Sequence, residues 1–294
     1  MNIAFVWQGV TERFNHWNDG LREAMRIIEE KHTVRYYEPW ADIKGDVVLY
    51  WEAPCTINGG NAQYYNRVRE LPIKKVLLFA GGPIEKEWVA GFDMLTIESE
   101  VNINECLELK IPHHRAFGIN DRIFKPMSVP KLFTGIHHGT CASWKRQGLM
   151  GVALNQDALL VGRNQKSDPN PFIEARKAGA TIIEEVSYEQ VALLINMSEM
   201  LVQTSDVWGG GQRATLEAMA CNIPVICMSD SPKNREFVEE SGFGVVSDPS
   251  IHSIRESIDE ARKLAGSNLG REYIESKWTA KKYAEDILKT IDLC

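Results

Sequence analysis

The sequence predicts an α/β protein made of two doubly wound, Rossmann-like domains. Three observations carry that expectation. Short β-rich runs alternate with helical patterns along the whole chain, a stretch with two prolines and no period interrupts the alternation near its middle, and the alternation then restarts.

In the first half the predicted strands are 2–7, 33–37, 46–51, 75–80, 94–98 and 114–117. Between the first two, residues 16–30 read as an amphipathic helix with Leu21, Met25 and Ile28 on one face. Residues 118–130 hold Pro126 and Pro130 and read as the boundary between domains. The second half continues with a strand at 132–136, a helix at 145–154, a strand at 158–161, a helix at 171–178 and a strand at 181–186. There follow a helix at 188–195, a strand at 200–204, a helix at 214–221, a strand at 224–228, a helix at 232–241 and a strand at 244–247. Two helical patterns, 251–264 and 279–291, close the order.

Composition narrows the function classes. With 294 residues, 44% hydrophobic and 25% charged, the chain can bury one large core or two medium ones. A formal net charge of -7 argues against a broad basic face for nucleic acid, while leaving room for a local cationic pocket. The six cysteines are scattered with no short metal or redox spacing, which points to reduced thiols and a cytoplasmic protein. The first residues read as a buried strand rather than a signal peptide, and no apolar stretch reaches membrane-spanning length.

The sharpest local feature is Ser205-Asp206-Val207-Trp208-Gly209-Gly210-Gly211-Gln212-Arg213-Ala214-Thr215-Leu216-Glu217-Ala218-Met219-Ala220, a glycine run leading from a strand into a helix. Glycines let the backbone approach an anion, and the free amides and dipole of the helix start favour phosphate. Arg213 adds a guanidinium in the first turn. The same glycines could instead form only a tight turn. Glu217 favours the nucleotide reading, because Leu216, Met219 and Ala220 mark the core face of the helix and a carboxylate can accept both hydroxyls of a ribose. No Lys-Ser or Lys-Thr pair follows, so this is not a P-loop. Gly209, Gly211 and Ala214 have the spacing of a dinucleotide fingerprint, with Asp230 as the ribose acid of an NAD-linked enzyme. That fingerprint normally follows the first strand of its fold, and this one comes late.

The stretch closely resembles the donor site of the retaining glycosyltransferases of family 4, the glycosyl transferases group 1. That motif reads Glu-Gly-Phe-Gly, four residues, Glu-Ala-Met-Ala, a small linker and Pro-Val; here Leu216-Glu217-Ala218-Met219-Ala220-Cys221-Asn222-Ile223-Pro224-Val225 keeps its second half. Gly118-Ile119-Asn120-Asp121-Arg122-Ile123-Phe124-Lys125-Pro126 resembles the family's interdomain segment. Gly139-Thr140-Cys141-Ala142-Ser143-Trp144-Lys145-Arg146 resembles its phosphate loop, with Lys145 on the family lysine and Thr140 in place of its arginine.

The resemblance implies a GT-B fold, two Rossmann-like domains facing across a cleft. Residues 1–127 would form the acceptor domain, 128–275 the nucleotide-sugar domain, and 276–294 a helix packing back on the first. It implies a hexosyl- or pentosyltransferase that uses a UDP- or GDP-sugar as substrate, retains anomeric configuration, and needs no cofactor or metal. Glu217 is assigned to the ribose and Lys145 to the diphosphate, with Arg146 or Arg163 as substitutes for the missing arginine. Gly209, Gly210, Gly211, Gln212, Arg213, Ala214 and Thr215 form the donor loop, and the backbone near Ile182 lies beside the base. Gly209 stands where the family keeps a glutamate against the donor sugar, so sugar choice is altered or transfer is lost, leaving a nucleotide-sugar binder.

The acceptor is expected from loops after the first-half strands: Gln8-Gly9, His16 with Asp19, Glu52, Asn58-Gly59-Gly60 and Gly81-Gly82. A soluble saccharide, metabolite, protein or modified nucleic-acid base fits. His113-His114 and His137-His138 border strands and read as structural.

Overall fold

The computed structural model describes residues 1–10, 14, 18–52, 62–163, 170–184, 186–207 and 210–294. By contact the chain divides into two compact units, Met1–Gly118 with Ala280–Cys294, and Ile119–Thr279.

The first unit comprises β1 (Asn2–Val6), α1 (Gly20–Glu29), β2 (Thr33–Tyr37), β3 (Val47–Glu52), α2 (Ala62–Arg69), β4 (Lys74–Phe79), α3 (Lys86–Val89), β5 (Met94–Ile97), α4 (Glu100–Leu109) and β6 (His113–Arg115). All pairings in its sheet are parallel, in the order β2-β1-β3-β4-β5-β6. The inner strands β1, β3 and β4 are nearly continuous apolar runs because helices cover both of their faces. On one face Leu21, Met25 and Ile28 of α1 are buried, at the spacing that predicts them. Tyr65 and Val68 of α2 and Cys106 of α4 cover the other. The apolar pattern of the sequence does not announce α2 or α4. In α2 only Tyr65 and Val68 are buried, and in α4 a buried Asn102 interrupts the apolar stripe.

The second unit comprises β7 (Phe133–His138), α5 (Gln147–Leu154), β8 (Ala158–Val161), α6 (Asn170–Lys177), β9 (Thr181–Ile183), α7 (Tyr188–Asn196), β10 (Ser198–Gln203), α8 (Gln212–Ala220), β11 (Val225–Met228), α9 (Pro232–Ser241), β12 (Gly244–Ser247), α10 (Ile251–Leu264) and α11 (Leu269–Lys277). Its parallel sheet runs β12-β11-β10-β7-β8-β9. Counted from β7, that is the Rossmann order, and the winding reverses between β7 and β10. Ligands of such sheets bind beyond the carboxyl ends of the strands at that reversal.

The final helix, α12 (Ala280–Leu293), packs against α1 and puts Tyr283, Ile287 and Ile291 into the first unit's core. The proline-bearing segment after Gly118 is tied into the second unit by polar side chains. Asn196 accepts from the Met127 amide (2.8 Å) and donates to the Lys125 carbonyl (3.0 Å), and Arg271 Nη1 donates to the Phe124 carbonyl (3.0 Å). These bonds satisfy backbone groups that no ladder reaches. Cys106, Cys141, Cys221 and Cys227 are buried free thiols. Among the described residues no helix is long and apolar enough to cross a membrane.

Candidate donor site

A cavity of about 500 Å³ opens at the carboxyl ends of β7 and β8 and the N-terminus of α8, at the winding reversal of the second sheet. Its base is made by glycine. The β7–β8 ladder continues past both strands, since Gly139 N donates to Val161 O (2.9 Å) and Cys141 N donates to Arg163 O (3.0 Å). This draws the two loops so close that a Cβ on Gly162, whose φ is +149°, would lie 1.9 Å from the Gly139 carbonyl oxygen. Gly211 is the N-cap of α8, with φ +129°, and a Cβ there would meet Gln203 Nε2 at 2.3 Å. The amides of Gln212, Arg213 and Ala214 form the open first turn of that helix.

Three cations line the cavity: Lys145, Arg163 and Arg213. Lys145 sits in a short 3-10 turn (Ser143–Lys145), whose carbonyl accepts from Thr204 Oγ1 (2.6 Å) at the end of β10. Burial holds its ammonium below the ordinary lysine range. Glu217, buried in α8, adds the one carboxylate of the described lining, with Oε2 3.6 Å from His138 Nε2.

The structure brings Lys145, Arg163, Gly211, Arg213, Ala214 and Glu217 together and leaves other sequence candidates elsewhere. Arg146 lies outside the described lining. Its guanidinium holds both Asp230 oxygens at 2.7 Å and donates to the Thr204 and Ser205 carbonyls, so it braces the loop from behind instead of facing a phosphate. Thr215 pairs with Asn234 (2.9 Å), Gln212 is buried, Gly210 is exposed, and Ile182 packs into the core, with none in the lining. Gly209 and His16 lie outside the described residues, as does Asn58-Gly59-Gly60. Of the acceptor candidates, Asp19 caps α1 by accepting from the Arg22 amide (2.8 Å), and Gly9 N donates to Glu38 (2.8 Å). The dinucleotide reading loses its footing: the glycine run follows β10, the fourth strand of its sheet, and Asp230 is held by Arg146.

His138 is the lining residue that sequence reading set aside as structural. The strand β7 continues to His138, two residues beyond its predicted end, and delivers that ring to the pocket. Its signal was available: a histidine directly before Gly139, at the end of the second unit's first strand. Burial, reinforced by the Lys145 charge, lowers the His138 pKa to about 4, so the ring is neutral at physiological pH. Because the folded-state value lies below the unfolded one, this group favours folding above pH about 6.5, and that contribution is lost as pH falls toward about 4. The linked loss reaches about 3 kcal/mol at most. Urea unfolding of His138→Val between pH 7 and 4 should show a shallower decline than the unsubstituted protein.

Residues 159–276 match the family described as glycosyl transferases group 1. The matched segment runs from β8 into α11 and contains Arg163, Arg213 and Glu217, while His138 and Lys145 precede it. No curated protein sequence matches the chain. Solved structures share its fold over the full length. Sucrose-phosphate synthase from Thermosynechococcus elongatus is 12% identical with TM-score 0.73, covering 100% of this chain and 98% of that one. Anabaena HepE in complex with UDP and glucose is 13% identical with TM-score 0.75, covering 100% of both chains. A glycosyltransferase from Rickettsia africae is 14% identical with TM-score 0.71, covering 99% and 98%. The folds of these proteins are GT-B, as is that of this chain. Residues 159–276 are a glycosyl transferases group 1 domain, in a chain of GT-B fold.

Proposed function

We propose that the chain is a glycosyltransferase that uses a nucleotide-sugar donor, holding the diphosphate on Lys145, Arg163, Arg213 and the first turn of α8, and the ribose on Glu217. The observation that carries the reading is the single cavity at the winding reversal, which gathers three cations, a helix N-terminus and one carboxylate. The base then lies toward Val186, Tyr188 and Val191 at the start of α7. Transfer proceeds with retention to a hydroxyl of a soluble acceptor, with the cations and helix dipole stabilising the leaving diphosphate without a metal. A UDP- or GDP-hexose is the favoured donor. Glycine at 209, in place of the family glutamate, shifts which sugar is accepted. Acceptor binding is assigned to the unit Met1–Gly118 with Ala280–Cys294, and donor binding to Ile119–Thr279.

A thermal-shift screen of nucleotide sugars tests this. A specific donor at a hundredfold excess over Kd stabilises by about 2.7 kcal/mol, whereas Lys145→Ala should lose most of that shift. Nucleoside diphosphate release should continue in EDTA. Because burial lowers the Lys145 pKa and a bound diphosphate raises it, donor affinity should weaken with rising pH earlier than an ordinary lysine would cause. The reading fails if no nucleotide sugar shifts the melting temperature.

A further inference from the structure

We propose that His138 is a second nucleoside contact, its Nε2 accepting one ribose hydroxyl while Glu217 accepts the other. The proposal rests on the donor site described above and adds a residue to it. His138 is 6% exposed, lines the cavity, and its Nε2 is buried without a hydrogen-bond partner, an arrangement that needs a donor from outside the protein. The Ala214 backbone lies beside the ring. With the proton of the neutral ring on Nδ1, the unpartnered Nε2 carries a lone pair that can accept.

The nearest carboxylate oxygen, Glu217 Oε2, is 3.6 Å away, outside hydrogen-bond range. Two acceptors converge on one spot in a buried wall beside three cations. A vicinal diol supplies two O–H donors side by side, which suits an unpartnered imidazole nitrogen with a carboxylate beside it. A phosphate does not, because it brings further acceptors. His138 is thus a diol-recognising residue, placed by β7, while Glu217 is placed by α8; neither element alone makes the grip.

The test is calorimetric titration with UDP and GDP and their 2′-deoxy and 3′-deoxy forms, against the unsubstituted protein, His138→Ala, His138→Asn and Glu217→Ala. The unsubstituted protein should prefer the ribonucleotide to each deoxy form. His138→Ala should weaken the ribonucleotide about three- to tenfold and erase the preference against one deoxy form while keeping the other. His138→Asn, which keeps an acceptor, should restore part of it. If His138→Ala binds more weakly but keeps both deoxy preferences, the histidine only packs and the inference is overturned with the donor site intact. If Glu217→Ala also changes neither preference, or no nucleotide binds, the donor reading itself is wrong and this inference goes with it.

Discussion

Glu217→Ala should reduce kcat/KM for the nucleotide sugar by about 10- to 150-fold, because a carboxylate accepting a ribose hydroxyl contributes roughly 1.5–3 kcal/mol. The loss should fall mainly on donor binding. Ribose is remote from the reacting carbon, so the carboxylate is used in the ground state and the transition state alike, and KM should rise more than kcat falls. Glu217 is 3% exposed and its neighbours along the helix, Leu216, Ala218, Met219 and Ala220, are buried and apolar, so alanine fits there without harming the core. The melting temperature of the free protein should therefore hold while the donor-induced shift disappears. Glu217→Gln keeps the shape and one strong acceptor and should fall between the two. Steady-state release of nucleoside diphosphate together with calorimetry separates these outcomes. An Ala variant with unchanged donor Kd and a collapsed kcat would remove Glu217 from the ribose and assign it to chemistry.

The parts of this site that were legible in the sequence are those made by local pattern. The helix start at Gly211, the carboxylate at Glu217 and the cation at Lys145 each belong to a short run whose residue types announce their role, and the structure puts all three on one cavity. The edges of the strands followed from apolar runs, because inner strands of a parallel sheet are buried on both faces. What escaped reading depends on side-chain direction and on partners far along the chain. Arg146 and Lys145 are neighbours with the same charge, yet a left-handed backbone at Arg146 (φ 49°) turns it to Asp230, 84 residues away, while Lys145 faces the pocket. His138 escaped because a strand end two residues longer than its apolar run carries no sign of where the last ring points. The helices α2, α4 and α11 escaped because each buries too few apolar residues for a clear period.

Gly162→Ala should be the most damaging single-methyl substitution in the second unit. Two costs act together there. At φ +149° an L-residue is strained by about 1–3 kcal/mol, and its Cβ would stand 1.9 Å from the Gly139 carbonyl oxygen. That contact is with backbone, so no side chain can swing aside, and relief requires the β7 and β8 loops to part. Parting them breaks the Gly139–Val161 and Cys141–Arg163 bonds that continue the ladder. A total near 4 kcal/mol, at 2–4 °C per kcal/mol, would lower the melting temperature by about 8–16 °C. Gly242→Ala is the control, since it also has positive φ (+63°) but nothing within 4 Å of its added Cβ, so only the conformational cost of about 1–2 kcal/mol remains. The difference between the two melts isolates the steric term. The same separation moves Arg163 and Lys145 apart, so Gly162→Ala should lose the donor-induced thermal shift while Gly242→Ala keeps it. Equal destabilisation by the two substitutions, with donor binding intact in both, would mean that the β7 and β8 loops are not pressed together at the base of the site.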